Sequence, residues 1–310
     1  MGGGASLINL GDISKPATVL IEKISGALGG YYKPFQIRRI AKAEAEADRI
    51  RAEGQIEVTA LQRRALERFV AEEARNQDNI EQITKKAISQ LDPASQPERI
   101  DDDWITNFFD KGRIISDQDM QALWAKALAG EANSPGSFSK RTVNFLASLD
   151  KTEAEMFTAF CGFVITFNND PVPFIYEFEH PIYRDHGITF QGLTQLDVIG
   201  LITFDIVSDF MLVKLPEQPL VSYHATSLKV RLPKTEDNEL HMGHVILSNT
   251  GEQLATICSA KPIDGFYDYV VKKWTDMGLV ITPTSVSPQP GEIEHTQSDN
   301  SQVADHQQAS

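Results

Sequence analysis

The chain has 310 residues, 41% of them hydrophobic, and carries 29 Lys and Arg against 43 Asp and Glu, for a formal charge of −14. It is long enough for one or two buried cores, and its acidic balance excludes blanket attraction to nucleic acid or anionic lipid, which needs clustered cations. Nucleic acid is therefore an unlikely partner. No apolar run reaches the roughly 18–20 residues of a bilayer span, and no apolar signal core follows a basic start, so the expectation is a cytoplasmic protein. Cys161 and Cys258 cannot build a disulfide scaffold, and both sit in apolar runs where a thiol behaves as a small hydrophobe.

Charge is polarised along the chain: residues 1–91 hold 14 basic and 12 acidic side chains, and every later segment is acidic. Composition divides it into a flexible start with an amphipathic helix (1–34), a long helix (35–91), a helical bundle (92–165), a mixed α/β region (166–282) and a disordered tail (283–310). The expected fold class is α+β, mainly α. Met1, Gly2 and Ser6 fit the loose N-myristoylation pattern, which three successive glycines equally explain as a flexible leader.

Ser14 and Pro16 suit a helix start. The following apolar positions include Val19, Leu20, Ile24 and Leu28 at helical spacing. The ordinary reading is a helix folded onto a core. The functional reading is a docking face for a membrane surface or a partner, with Lys33, Arg38, Arg39 and Lys42 just beyond it to meet lipid headgroups. From Phe35 to about Leu91 there is no proline and Gly54 is the only glycine, which predicts a helix of roughly 85 Å if continuous. Such a rod is too long for a domain of this size to cover. Its large apolar residues fall in the second half, at Leu61, Leu66, Phe69, Ile80, Ile83 and Leu91, and mark a seam for self-association, for a protein partner or for docking onto the next domain.

Asp92, Pro93 and Pro97 end the long helix. Trp104, Ile105, Phe108 and Phe109 follow Asp101, Asp102 and Asp103, acids that suit a helix N-terminus. Gly112 stops that helix. Ser116 with Asp119 is expected as a capping box for the next, which runs through Met120, Leu123, Trp124, Ala127 and Leu128 to Gly130. A third passes through Val143, Leu146 and Leu149, and Asp150 with Glu153 opens a fourth through Met156, Phe157 and Phe160. Helix capping explains Asp101, Asp102, Asp103, Asp110, Asp117 and Asp119 more simply than metal binding does.

The run DDDWITNFFDKGRIISDQDMQALWAKALAGEANSPGSFSKRTVNFLASLDKTEAEMF at 101–157, with the segment at 11–47 and more loosely the C-terminal part, resembles a bacterial family known as domain of unknown function 2806. More distantly, the order of Trp124, Ala125, Leu128, Ala129, Leu146, Leu149 and Glu153 is similar to the abortive-infection alpha family. These resemblances imply a bacterial cytosolic protein, the second with a role in phage defence, and neither carries over a catalytic residue; joined to the amphipathic face at Val19 to Tyr32, the second gives as an alternative a defence effector acting at the inner membrane.

Beyond Ile165, β-branched and aromatic runs at 172–178, 221–232 and 245–247 predict strands. A helix is expected over 193–206, another from Ser248, and a last one through Phe266, Tyr269, Val270 and Trp274 to Gly278. A leucine helix, a strand pair and a further helix start resemble the closing half of a winged-helix domain. Its acidic charge, with Asp197 and Asp205 but no Lys or Arg on the 193–206 helix, favours protein contact over DNA. His241 and His244 lie three apart on a predicted strand, where such residues point to opposite faces unless a turn intervenes. With His224 and Cys258 they do not make a zinc signature. No phosphate loop, dinucleotide fingerprint or serine-hydrolase elbow is present. The sequence therefore points to a non-enzymatic interaction or regulatory protein, with no cofactor implied.

Overall fold

In the computed structural model, which describes residues 14–28 and 60–283, the first helix, α1 (Lys15–Ala27), begins where Ser14 Oγ accepts the amide of Ala17 and Pro16 occupies the first turn. The next described helix, α2 (Ala60–Ile88), runs 29 residues, about 43 Å. After the 3₁₀ turn Pro97–Arg99 come α3 (Asp102–Gly112), α4 (Gln118–Asn133), α5 (Lys140–Ser148) and α6 (Lys151–Cys161).

Short polar side chains set the starts of these helices. Asp101 Oδ1 accepts the Trp104 amide at 2.8 Å, and Ser139 Oγ accepts that of Thr142 at 3.1 Å. The expected box at Ser116 and Asp119 does not form: Asp117 is the cap, and its Oδ1 takes the amides of both Asp119 and Met120 at 3.0 Å. A carboxylate reaching two amides of the first turn satisfies more of the unpaired donors there than a hydroxyl can. Asp150 and Glu153 do form a reciprocal box on α6.

The bundle closes on aromatic rings. Phe108 stacks on Trp104 at 5.0 Å and meets Trp124 edge-on at 4.9 Å. The Trp104 indole N–H donates to the Phe138 carbonyl at 2.6 Å, so its one polar atom is satisfied inside the core. Trp124, Ala125, Leu128, Ala129, Leu146 and Leu149 are buried and pack this interior, while Glu153, quoted with them for the abortive-infection likeness, is half-buried at the start of α6.

The polypeptide then makes a β1 (Val164–Phe167) and β2 (Asp170–Pro173) hairpin, α7 (Pro181–Arg184), α8 (Phe190–Val198), β3 (Ile202–Phe204), β4 (Phe210–Leu215), β5 (Leu220–Tyr223), β6 (Thr226–Arg231), β7 (Asn238–Gly243) and β8 (Val245–Leu247). It ends in α9 (Asn249–Ala255), α10 (Phe266–Asp276) and β9 (Val280–Pro283). Five strands form an antiparallel sheet in the order β2-β1-β5-β6-β9, while β3 pairs with β8 and β4 with β7. Trp274 of α10 packs edge-on against Phe167 and Phe174 at 5.6 and 5.2 Å, and so seats that helix on the sheet.

Three expected elements are shorter than their sequence runs. The helix over 193–206 stops at Val198, because Gly200 takes φ +85° and the amide of Leu201 returns to Leu196 O, after which Ile202–Phe204 is strand. The run 221–232 is two strands reversed at His224, with φ +50°. Of the run 172–178, only the first two residues are strand. As expected, α9 starts directly after β8 with Ser248 as its cap, and α10 ends before Gly278, at φ +89°.

A continuous apolar core joins the helical and mixed parts. The Tyr223 hydroxyl donates to Gly162 O at 2.8 Å and accepts the Ile263 amide at 2.7 Å, tying the sheet to the end of α6. The fold is α+β with more helix than strand.

Candidate functional site

One stripe of α2 runs through Leu61, Ala65, Phe69, Glu72, Asn76, Asn79, Ile83 and Ala87, every third or fourth residue and hence one face. Its environment changes partway along. Asn76, Asn79, Ile80, Ile83 and Ala87 are buried against the bundle, whereas Leu61 is 69% and Phe69 59% exposed. No residue from 60 to 75 is buried, and Leu66 is only half-buried.

The buried end is locked by polar contacts as well as packing. Asn79 Nδ2 donates to Arg113 O at 2.8 Å and to Ser116 Oγ at 3.2 Å. Gln121 Nε2 donates to Asn79 Oδ1 at 3.1 Å and to Ile115 O at 2.9 Å. Lys86 reaches Gln118 Oε1 and Gln121 Oε1 at 2.7 and 3.1 Å. Satisfied buried amides fix register more tightly than apolar packing alone, so the exposed half leaves the bundle in a set direction. Of the expected assembly residues, Ile80 and Ile83 are used within the chain and Leu91 packs half-buried on the same core. Leu61, Phe69 and in part Leu66 remain at the surface.

The expected docking face of α1 is likewise turned inward. Leu20 and Ile24 are fully buried and Val19 and Leu28 half-buried. Lys23 pairs with Asp102 at 2.6 Å, which holds the helix on α3. An amphipathic helix next to an aromatic bundle loses more water-exposed apolar area by packing there than by staying free. Lys33, Arg38, Arg39 and Lys42 lie outside the described residues, as do 35–59 of the expected long helix and the tail from 284. No described helix is long and apolar enough to cross a membrane.

Two clusters of reactive side chains were not legible as such. His241 and His244 converge on one carboxylate: their Nδ1 atoms stand 3.8 and 3.4 Å from the two oxygens of Asp209. The intervening turn is made by Gly243, at φ +91° where a Cβ would collide with the Ile175 carbonyl, and Gly243 itself was the signal available in the sequence. His244 Nδ1 also lies 3.1 Å from Asp205 O, so it faces only oxygen atoms that can accept a hydrogen bond. Among the described residues no group of three His, Cys, Asp or Glu side chains is arranged to hold a metal.

The second cluster brings Cys161, at the end of α6, beside Cys258, in the loop after α9. Burial pushes the Cys161 thiol well up, and the neighbouring Cys258 adds to the rise. Cys161 in turn holds Cys258 below the usual thiol range, against the opposing effect of burial, with Thr158 and the Lys126 ammonium adding to it.

The sequence profile of a family described as "Protein of unknown function (DUF2806)" matches residues 63–271, well over half of the chain. The chain belongs to this family. The DUF2806 match begins within the exposed half of α2 and ends within α10, so it spans the helices α3 to α6 and four of the five strands of the sheet, with β9 beyond its end. No curated protein and no solved structure matches the chain.

Proposed function

We propose that this DUF2806 protein is a non-enzymatic interaction protein that self-assembles through the exposed half of α2, with a second copy of the chain as its partner. The observation that carries the reading is the continuity of one helix face, buried from Asn76 to Ala87 and left open at Leu61, Ala65 and Phe69. A solvated spacer helix has no use for large apolar residues on the same stripe that its other end buries. An antiparallel two-fold contact covers both open stripes at once, keeps the two bundles at opposite ends and closes after two copies. The bundle and the mixed winged-helix-like region then act as the module that meets further protein partners, in keeping with their acidic charge.

Burying Leu61 and Phe69 in each copy contributes roughly 1.5–3 kcal/mol per side chain. Sedimentation equilibrium on the full chain tests the reading. Wild type is expected at twice 34.4 kDa, and Leu61→Glu/Phe69→Glu is expected to dissociate at least about a hundredfold more readily. A wild-type monomer at every concentration overturns the proposal.

A further inference from the structure

Cys258 lines a cavity of about 530 Å³ between the bundle and the loop that follows α9. Lys126, Lys151, Thr158, Ser259 and Lys261 share the wall, over a floor of apolar residues from α4 and α6. Cys161, 5% exposed, is buried and does not line the cavity. The loop can come this close because residue 162 is glycine: a Cβ there would stand 2.9 Å from the Ile263 side chain, inside contact distance. Lys126 reaches over to Ser259 Oγ, beside the sulfur, and brings a cation next to Cys258 in a wall that also holds Lys151, Lys261, Asp119 and Glu155.

We propose that Cys258 and Cys161 are a hydroperoxide-responsive dithiol, with Cys258 the attacking sulfur and Cys161 the resolving one. The Cys258 thiolate attacks one peroxide oxygen. An S–O bond forms as the O–O bond breaks, the sulfur gives up two electrons to the peroxide, and the departing hydroxide takes a proton to leave as water. The Cys161 thiol, its proton released to solvent, then attacks the Cys258 sulfur. The S–S bond forms as the S–OH bond breaks, and a second water leaves. In sum two thiols and one peroxide give one disulfide and two waters. The division of labour follows from placement. The sulfur that meets the oxidant lines the cavity beside a lysine, and the one that resolves it is buried and does not line it. The product staples the end of α6 to the loop between α9 and α10, where the helical and mixed parts meet.

The test treats the folded, reduced full chain with hydrogen peroxide. Remaining thiols are then blocked with N-ethylmaleimide in denaturant and the intact mass is measured. Wild type is expected to lose both alkylation sites and two hydrogens as a single chain, and to regain them with dithiothreitol. In Cys161→Ala, oxidation is expected to stop at a sulfenic acid on Cys258 that dimedone traps. In Cys258→Ser, Cys161 is expected to stay a free thiol. The wild-type and Cys258→Ser arms decide the matter even where Cys161→Ala does not fold. Two unreacted thiols in wild type, a disulfide only between chains, or oxidation of Cys161 in Cys258→Ser at the wild-type rate overturns the proposal.

Discussion

Gln121 of α4 donates its side-chain amide to Asn79 of α2 at 3.1 Å, across the contact where the long helix meets the bundle. Asn79 in turn caps the open carbonyl of Arg113 at the end of α3, so a single asparagine holds three helices in register. Asn79→Ala leaves Arg113 O and one Gln121 proton without that partner in a buried setting, and is expected to cost about 1–3 kcal/mol in urea denaturation. A double-mutant cycle with Gln121→Ala should return a coupling of at least about 0.5 kcal/mol. Additive effects would show that the two amides do not act together.

The buried carboxylate of Glu131 gathers the loop between α4 and α5, accepting the amides of Gly136 at 2.7 Å and Phe138 at 2.9 Å. Burial raises its pKa, against the opposing effect of these amide donors. The folded chain therefore binds this proton more tightly than the unfolded chain does, and Glu131 stabilises the fold less as pH rises from about its ordinary 4.5 through the raised folded value. Glu131→Gln removes that titration. Between about pH 4 and 7 the difference in unfolding free energy should move in favour of the variant, and a difference that stays flat would contradict the assignment.

Gly243 adopts φ +91° under the Ile175 carbonyl and so turns His241 and His244 toward Asp209. Gly136 has a similar φ of +94° but open space around it. Gly243→Ala combines left-handed strain with a backbone collision and should cost about 2 kcal/mol or more. Gly136→Ala carries the strain alone, about 1–2 kcal/mol. Thermal unfolding of the two variants side by side checks this, and equal losses would mean that the close approach of Ile175 is unimportant.

The sequence was most readable where a local rule decides the structure. The cap and box at Asp101, Asp150 and Glu153, the helix start at Ser248 and the stop at Gly278 depend on residues within a few positions of one another, and the bundle assembles from them. Breaks inside apolar runs were harder to see. Nothing in β-branched composition marks His224 as the reversal of a hairpin, and the helix over 193–206 ends at Val198, before Gly200, although leucine and isoleucine continue past it. The candidate sites depend on contacts between distant residues. The meeting of Asp209 with two histidines requires the kink at Gly243, and Cys161 and Cys258 stand almost a hundred residues apart. The two ends of α2 have the same spacing in sequence, and only the packed bundle separates the stripe that is covered from the one that is open.

The proposed dimer requires that the open stripe meet its counterpart in a second copy of the chain. A photo-crosslinking amino acid placed at Ala65, exposed and between Leu61 and Phe69 on the stripe, reports its neighbour directly when the irradiated full chain is digested and sequenced by mass spectrometry. Crosslinks are expected to join residues 60–75 of one chain to residues 60–75 of another. Crosslinks confined to a single chain, with no species of doubled mass, would contradict it.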